Sequence, residues 1–166
     1  MYKRQLFGRR VDLISNIRNS LVVAVLSTLC VLAVGTLGAY AVHRSYASKL
    51  VARVLLAWLL LFQMIPPLSL VGPWYLVFQE LGLYDTLTAL VLTHIAINLP
   101  LTMWIMLTFF REIPRELHEA ATIDGCREFQ AFRMIMLPMA MPGLVSAGIL
   151  AFVFSWNEFS IALNLS

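Results

Sequence analysis

Apolar residues gather in four long runs, and polar and charged residues gather between them. Residues 21–42, 54–78, 86–110 and about 139–157 hold no Asp, Glu, Lys or Arg. Each run is close to or above the roughly 20 residues an α-helix needs to cross a bilayer. None alternates as a strand would, and lipid leaves irregular backbone with unpaired amides, so four transmembrane helices are expected. Two of them should be irregular. The second carries Pro66-Pro67 and then Gly72-Pro73, and the third carries Asn98-Leu99-Pro100 near its middle. Proline removes a backbone donor, and a membrane helix tolerates it where neighbouring helices or water satisfy the freed carbonyls. Such breaks fit a water-lined path or a kink that serves packing alone.

Polar and small residues inside the runs add detail. His94 and Asn98 lie one helical turn apart in the third run. Intramembrane polar groups face the bundle interior, either lining a pathway or hydrogen-bonding between helices. Gly35 and Ala39 form a small-xxx-small pair in the first run, which lets a neighbouring backbone approach closely.

Composition agrees with this pattern. Of the 166 residues 60% are hydrophobic and 13% charged, and mean hydropathy is +0.82, values that a soluble domain does not reach. The net charge of +3 and pI near 9.1 come from basic residues scattered between apolar runs, which form no stripe for nucleic acid. Membrane lipid is the expected surround. Cys30 and Cys126 form no CxxC pair, so neither a zinc site nor a disulfide framework is indicated, and Cys30 reads as a packing residue. His43, His94 and His118 lie far apart in the expected topology, and no nucleophile, base or metal constellation emerges. No cofactor is implied. Met1-Tyr2-Lys3-Arg4 does not open a signal peptide, because no small-residue cleavage site follows the first run.

Charge sets the orientation. Residues 43–53 carry Arg44, Lys49 and Arg53, and residues 111–138 carry Arg111, Arg115, Arg127 and Arg133. Residues 79–85 carry Glu80 and Asp85 with no basic residue. The positive-inside rule puts the first and third connections in the cytoplasm. Residues 1–18, an extracytoplasmic or amphipathic lead-in on this reading, go against the rule with Lys3, Arg4, Arg9, Arg10 and Arg18.

The third connection is far longer than a helical hairpin requires. Pro114 suits a first turn, with Glu112 and Glu116 near the positive end of the helix dipole. Leu117, Ala120 and Ala121 then share a face, and Asp124-Gly125 supplies a stop, since glycine readily takes the left-handed conformation. A second helix is expected from about Arg127 to Leu137-Pro138, which makes a helix-turn-helix elbow outside the membrane.

This elbow carries a spaced pattern. Glu119-Ala120-Ala121 is followed after three residues by Gly125, and after nine more by Ile135-Met136-Leu137-Pro138. The pattern resembles the EAA loop of ABC importer permeases, in which EAA, G and I-x-L-P recur at this spacing, and all seven fixed positions match. Asn19-Ser20, Ile113-Pro114 and Trp156-Asn157-Glu158-Phe159 resemble the carbohydrate branch, the maltose-type permeases. The resemblance covers nearly the whole chain. It implies an all-α polytopic helical bundle, with residues 19–166 forming part of a transporter membrane domain and residues 111–138 the coupling loop. It further implies that Glu119, Ala120, Ala121, Asp124, Gly125, Ile135, Leu137 and Pro138 dock a cytoplasmic ATPase, present as a dimer. A second permease subunit and an extracytoplasmic solute-binding protein are the other implied partners, in a bacterial or archaeal inner membrane. Family members have about six spans, so one span is expected before residue 1 and one after residue 166.

The chain has no G-x-x-x-x-G-K-[ST] phosphate loop, so ATP hydrolysis would belong to a partner and the chain is not expected to be an enzyme. His94, Asn98, Trp156, Asn157 and Glu158 are candidates for lining the pathway. At about 1.5 Å per residue, Glu158 falls about 28 Å from the cytoplasmic end of the fourth run, where Trp156 and Glu158 would serve equally as interfacial anchors. Two other readings stand beside a sugar importer. One is an importer of the same superfamily with another cargo, such as an amino acid, peptide or ion. The other is a secondary carrier or channel, against which the uncharged interior of the spans counts.

Overall fold

The computed structural model describes residues 2–44 and 49–157, and within these the chain is helical with short turns and no strand. Helix α1 (Tyr2–Arg44) runs unbroken through the expected lead-in and the first span. Its buried stripe, Val23, Ala24, Ser27, Thr28, Val31, Thr36 and Ala39, recurs at helical spacing and faces α4 (Leu87–Glu112). The two backbones come close at Gly35, where an added Cβ would lie 2.7 Å from Thr102 Cγ2, and Ala39 one turn on is fully buried. The small-residue pair of the sequence therefore packs α1 on α4. Helix α4 begins at Thr86, whose Oγ1 accepts the Ala89 N–H at 3.2 Å.

The second expected span divides. Helix α2 (Lys49–Gln63) closes in two tight turns, Met64 N–H to the Leu61 carbonyl at 3.1 Å and Ile65 N–H to the Phe62 carbonyl at 3.2 Å. Helix α3 (Pro67–Glu80) then starts afresh. The cause is local. A residue before proline is driven out of the α region, and Pro66 stands at φ −59°, ψ 132°. Pro67 then occupies the first helical position, where a missing N–H costs nothing. The single Pro100 leaves α4 continuous. On α3, Phe78 is buried with Val23, Ala89 and Leu90, and Trp74 and Tyr75 pack against them.

Helix α5 (Arg115–Ile123) follows α4 after Ile113-Pro114. Helix α6 begins with Glu128–Ala131, widens into a π-helical stretch over Phe132–Met136 and ends with Leu137–Met139. It continues beyond the Leu137-Pro138 stop expected from the sequence, because a proline near the start of a new turn needs no donor. At Ala140 the chain bends by 74° into α7 (Met141–Asn157), which packs on α1 and α4 through Gly143, Ala147, Ala151 and Ser155. Among the described residues, Ile17–Arg44 and Leu87–Glu112 are single helices long and apolar enough to cross a membrane, and α6 with α7 makes a third if the bent pair is one span.

Candidate functional site

The elbow is built by two helix ends. Helix α5 stops as the glycine pattern requires: Gly125 stands at φ +82°, its N–H donates to the Thr122 carbonyl at 3.1 Å, and the Cys126 N–H donates to the Ala121 carbonyl at 2.9 Å. These two bonds form a Schellman closure, which consumes carbonyls the helix end would otherwise leave open. Helix α6 then starts with the Arg127 N–H donating to Gln130 Oε1 at 2.8 Å.

The face of α5 that turns inward cuts across the one shared by Leu117, Ala120 and Ala121. Ala121 is buried, as is His118 three residues earlier, whereas Leu117 and Ala120 are exposed. Each residue advances a helix by about 100°, so 118 and 121 share a side that excludes 120. Glu119, Asp124 and Gly125 are exposed, Pro138 is exposed, and Ile135 and Leu137 are half-buried. The outer surface also carries large apolar side chains: Ile123 is 86% exposed, Met134 69% and Phe129 65%.

Beneath that surface lies a core shared by three helices. Ala39 of α1, Met106, Leu107 and Phe110 of α4, and Phe132 and Met136 of α6 form one buried cluster. Tyr40 sits across it, with ring centroids 4.7 Å from Phe132 and 5.8 Å from Phe110. At its edge is a polar group that the sequence did not disclose. Arg44 grips Glu128 with two nitrogens, Nη2 to Oε1 at 2.6 Å and Nε to Oε2 at 3.0 Å. Tyr40 Oη donates to Glu128 Oε2 at 3.3 Å, and His118 Nε2 lies 3.6 Å from the same oxygen. The Arg44 guanidinium holds the Glu128 carboxyl below its ordinary value. Among the described residues, neither ring nitrogen of buried His118 has a hydrogen-bond partner. Arg44 and Glu128 stand 84 positions apart, and no local spacing marks them as a pair.

Within the bundle, His94 and Asn98 are both buried and border one cavity of about 200 Å³, together with Phe62, Gln63, Ile65 and Phe154. The break between α2 and α3 contributes Ile65, and the end of α2 before it contributes Phe62 and Gln63. Asn98 also serves packing, since its Nδ2 donates to the His94 carbonyl at 2.9 Å and to Ser155 Oγ at 3.4 Å. Ser27 Oγ donates to Ser155 Oγ at 3.2 Å, so a buried polar seam joins α1, α4 and α7. Asn98 thus both borders the cavity and bonds across to α7. Trp156 and Asn157 stand apart from the cavity: both are exposed, Trp156 stacks on Phe152 at 6.0 Å, and Asn157 Nδ2 donates to the Val153 carbonyl. Glu158 lies outside the described residues. The described residues hold no group of three or more His, Cys, Asp or Glu that would bind a metal.

Comparison with known proteins agrees with the geometry. Residues 32–166 match the family described as binding-protein-dependent transport system inner membrane component. The trehalose transport system permease protein SugB of Mycobacterium tuberculosis is 41% identical over 159 residues, 95% of this chain and 57% of the relative. The trehalose/maltose transport system permease protein MalG of Thermococcus litoralis is 35% identical over 163 residues, 98% of this chain and 58% of the relative. The diacetylchitobiose uptake system permease protein NgcG of Streptomyces coelicolor is 35% identical over 150 residues, 89% of this chain and 48% of the relative. The chain spans about half to three fifths of the length of these relatives. A family match over most of the chain, on an all-helical fold with a glycine-closed elbow, makes it a member of the binding-protein-dependent transport system inner membrane component family.

Proposed function

We propose that the chain is the membrane-spanning subunit of an ATP-driven importer of sugars, and that the elbow seats a cytoplasmic ATPase subunit. The observation that carries this is the elbow itself. Its seven spaced positions, its Schellman closure at Gly125 and its exposed Ile123, Phe129 and Met134 make a firm apolar knob on basic-flanked connections. Large exposed apolar side chains at such a place suit a partner groove. Glu119 and Asp124 add carboxylates for basic partner residues, Ala120 allows close approach, and buried Ala121 lies on the helix that packs against α6, which holds Ile135, Leu137 and Pro138.

The cargo class rests on the relatives' names, which include trehalose, maltose and diacetylchitobiose. The cavity at His94 and Asn98 has the chemistry for neutral saccharides, since the amides of Asn98 and Gln63 and the rings of Phe62 and Phe154 are among its lining. A second permease subunit would complete the path, and an extracytoplasmic solute-binding protein would deliver the cargo. No ATP chemistry is assigned to this chain.

Co-purification with the cognate ATPase tests the docking role. Proline holds φ near −65°, so Gly125→Pro cannot keep the +82° backbone and should open the elbow. Glu119→Lys reverses an exposed charge and leaves the fold intact. Both are expected to lower ATPase recovery by about tenfold, a loss of roughly 1.4 kcal/mol of association. Recovery equal to the native chain in both variants would remove the elbow from the interface.

A further inference from the structure

The elbow is continuous in sequence with α4 on one side and α7 on the other, whereas α1 meets it through side chains. We infer that Glu128 is a positioning residue, held by Arg44 and Tyr40, that ties the end of α1 to the elbow so that the two move as one body. The inference rests on the proposal that the elbow receives the ATPase, and it adds where the motion goes next.

Three observations carry it. Arg44 meets both carboxylate oxygens of Glu128, the bidentate geometry that fixes orientation as well as distance. Tyr40, one turn before Arg44, holds the same carboxylate through its hydroxyl and packs its ring on Phe132, one turn after Glu128. Two successive turns of α1 thus grip two successive turns of α6. His118 of α5 faces the same carboxylate from within the elbow, so one acidic group touches both elbow helices and α1.

The plain alternative is a surface ion pair or a charge placed at a helix start, either of which contributes little alone. A charge favouring the first turn of α6 would need no partner 84 residues away, nor a tyrosine shared between the carboxylate and the aromatic core. A latch of this kind makes α1 respond to a push on the elbow, since packed elements shift as rigid units.

Spin labels at Ala41 and Arg133, both exposed and neither assigned to docking, report the latch in the isolated full-length permease on a cysteine-free background. The native chain is expected to give one narrow distance distribution. Glu128→Gln and Arg44→Gln should each widen it about twofold, because a neutral partner no longer fixes the fork. The reversed pair, Arg44→Glu with Glu128→Arg, should restore the narrow distribution, which a merely destabilised elbow would not do. Tyr40→Phe, which removes only the hydroxyl, should widen it by less. In the assembled transporter, the native label distance should stay constant when the ATPase is trapped with ATP and vanadate, and should change in Glu128→Gln. Single variants as narrow as the native chain, a reversed pair as wide as the singles, or a native distance that changes on trapping would each overturn the latch. Glu119→Lys, tested by ATPase recovery, probes docking separately and should leave the label distance unchanged.

Discussion

Gly125 holds a left-handed backbone, φ +82°, that a side chain makes unfavourable by about 1–2 kcal/mol. Its Cβ position is open space, so the cost of substitution lies in the backbone alone. Gly35 is the opposite case: its conformation is ordinary, and the room is taken by Thr102. Gly35→Ala should therefore destabilise the bundle by about 1–3 kcal/mol through overpacking. Adding Thr102→Ser, which deletes the methyl 2.7 Å away, should recover most of that loss. Thermal unfolding of the detergent-solubilised chain measures both, and a double variant no more stable than Gly35→Ala would remove Thr102 as the cause. Much at this scale was legible beforehand: Gly125 as a helix stop, Gly35 and Ala39 as a close approach, His94 and Asn98 as inward polar groups. Glu128 and its partners were not. Short-range patterns record what neighbours in sequence do, whereas Tyr40, Arg44 and Glu128 meet only after α1 and α6 have packed.

Among the helices, α2 and α3 depart furthest from expectation. Hydropathy averages over about 19 residues and cannot register a break three residues long. The uncharged run 54–78 therefore reads as one span, although Pro66-Pro67 forces two helices. Chemistry at the break was legible in the proline pair, but the choice between a kink and a full interruption depends on what packs there. Pro66→Ala with Pro67→Ala should join α2 to α3, since both obstacles to helical backbone are removed. Hydrogen exchange at Met64 and Ile65, now held in tight turns, should slow by about tenfold or more, and unchanged exchange would show that the break has another cause. Joining the helices should also reshape the cavity beside Asn98, because Phe62, Gln63 and Ile65 stand at or just before that break.

For the whole molecule, orientation rests on the connections. By the positive-inside rule the basic residues of 43–53 and 111–138 are expected to put the elbow in the cytoplasm, against the five basic residues of the first 18. The two cysteines test this. Cys126, partly exposed beside Gly125, should react with a membrane-impermeant maleimide in inside-out vesicles and not in right-side-out spheroplasts. Cys30, exposed on the apolar midsection of α1, should react in neither and serves as the internal control. Labelling of Cys126 from outside would invert the topology and with it the docking proposal. All-helical architecture was legible from the runs alone, because lipid leaves so few alternatives. How the spans arrange around the polar seam of Ser27, Asn98 and Ser155 was not, since that seam draws one residue from each of three helices.

The π-helical stretch Phe132–Met136 has one further consequence. A π-turn takes up one residue more than the α-turn it replaces, and each residue rotates what precedes it by about 100°. The azimuth at which Glu128 and Phe129 leave the membrane helix is therefore set by a count. Losing the extra residue between 132 and 136 would close the π-turn to an α-turn with Glu128 still facing Arg44, whereas losing a second would swing Glu128 about a quarter-turn away. Length in this stretch therefore tolerates a change of one residue and no more, while Phe132 and Met136, buried in the shared core, constrain its composition.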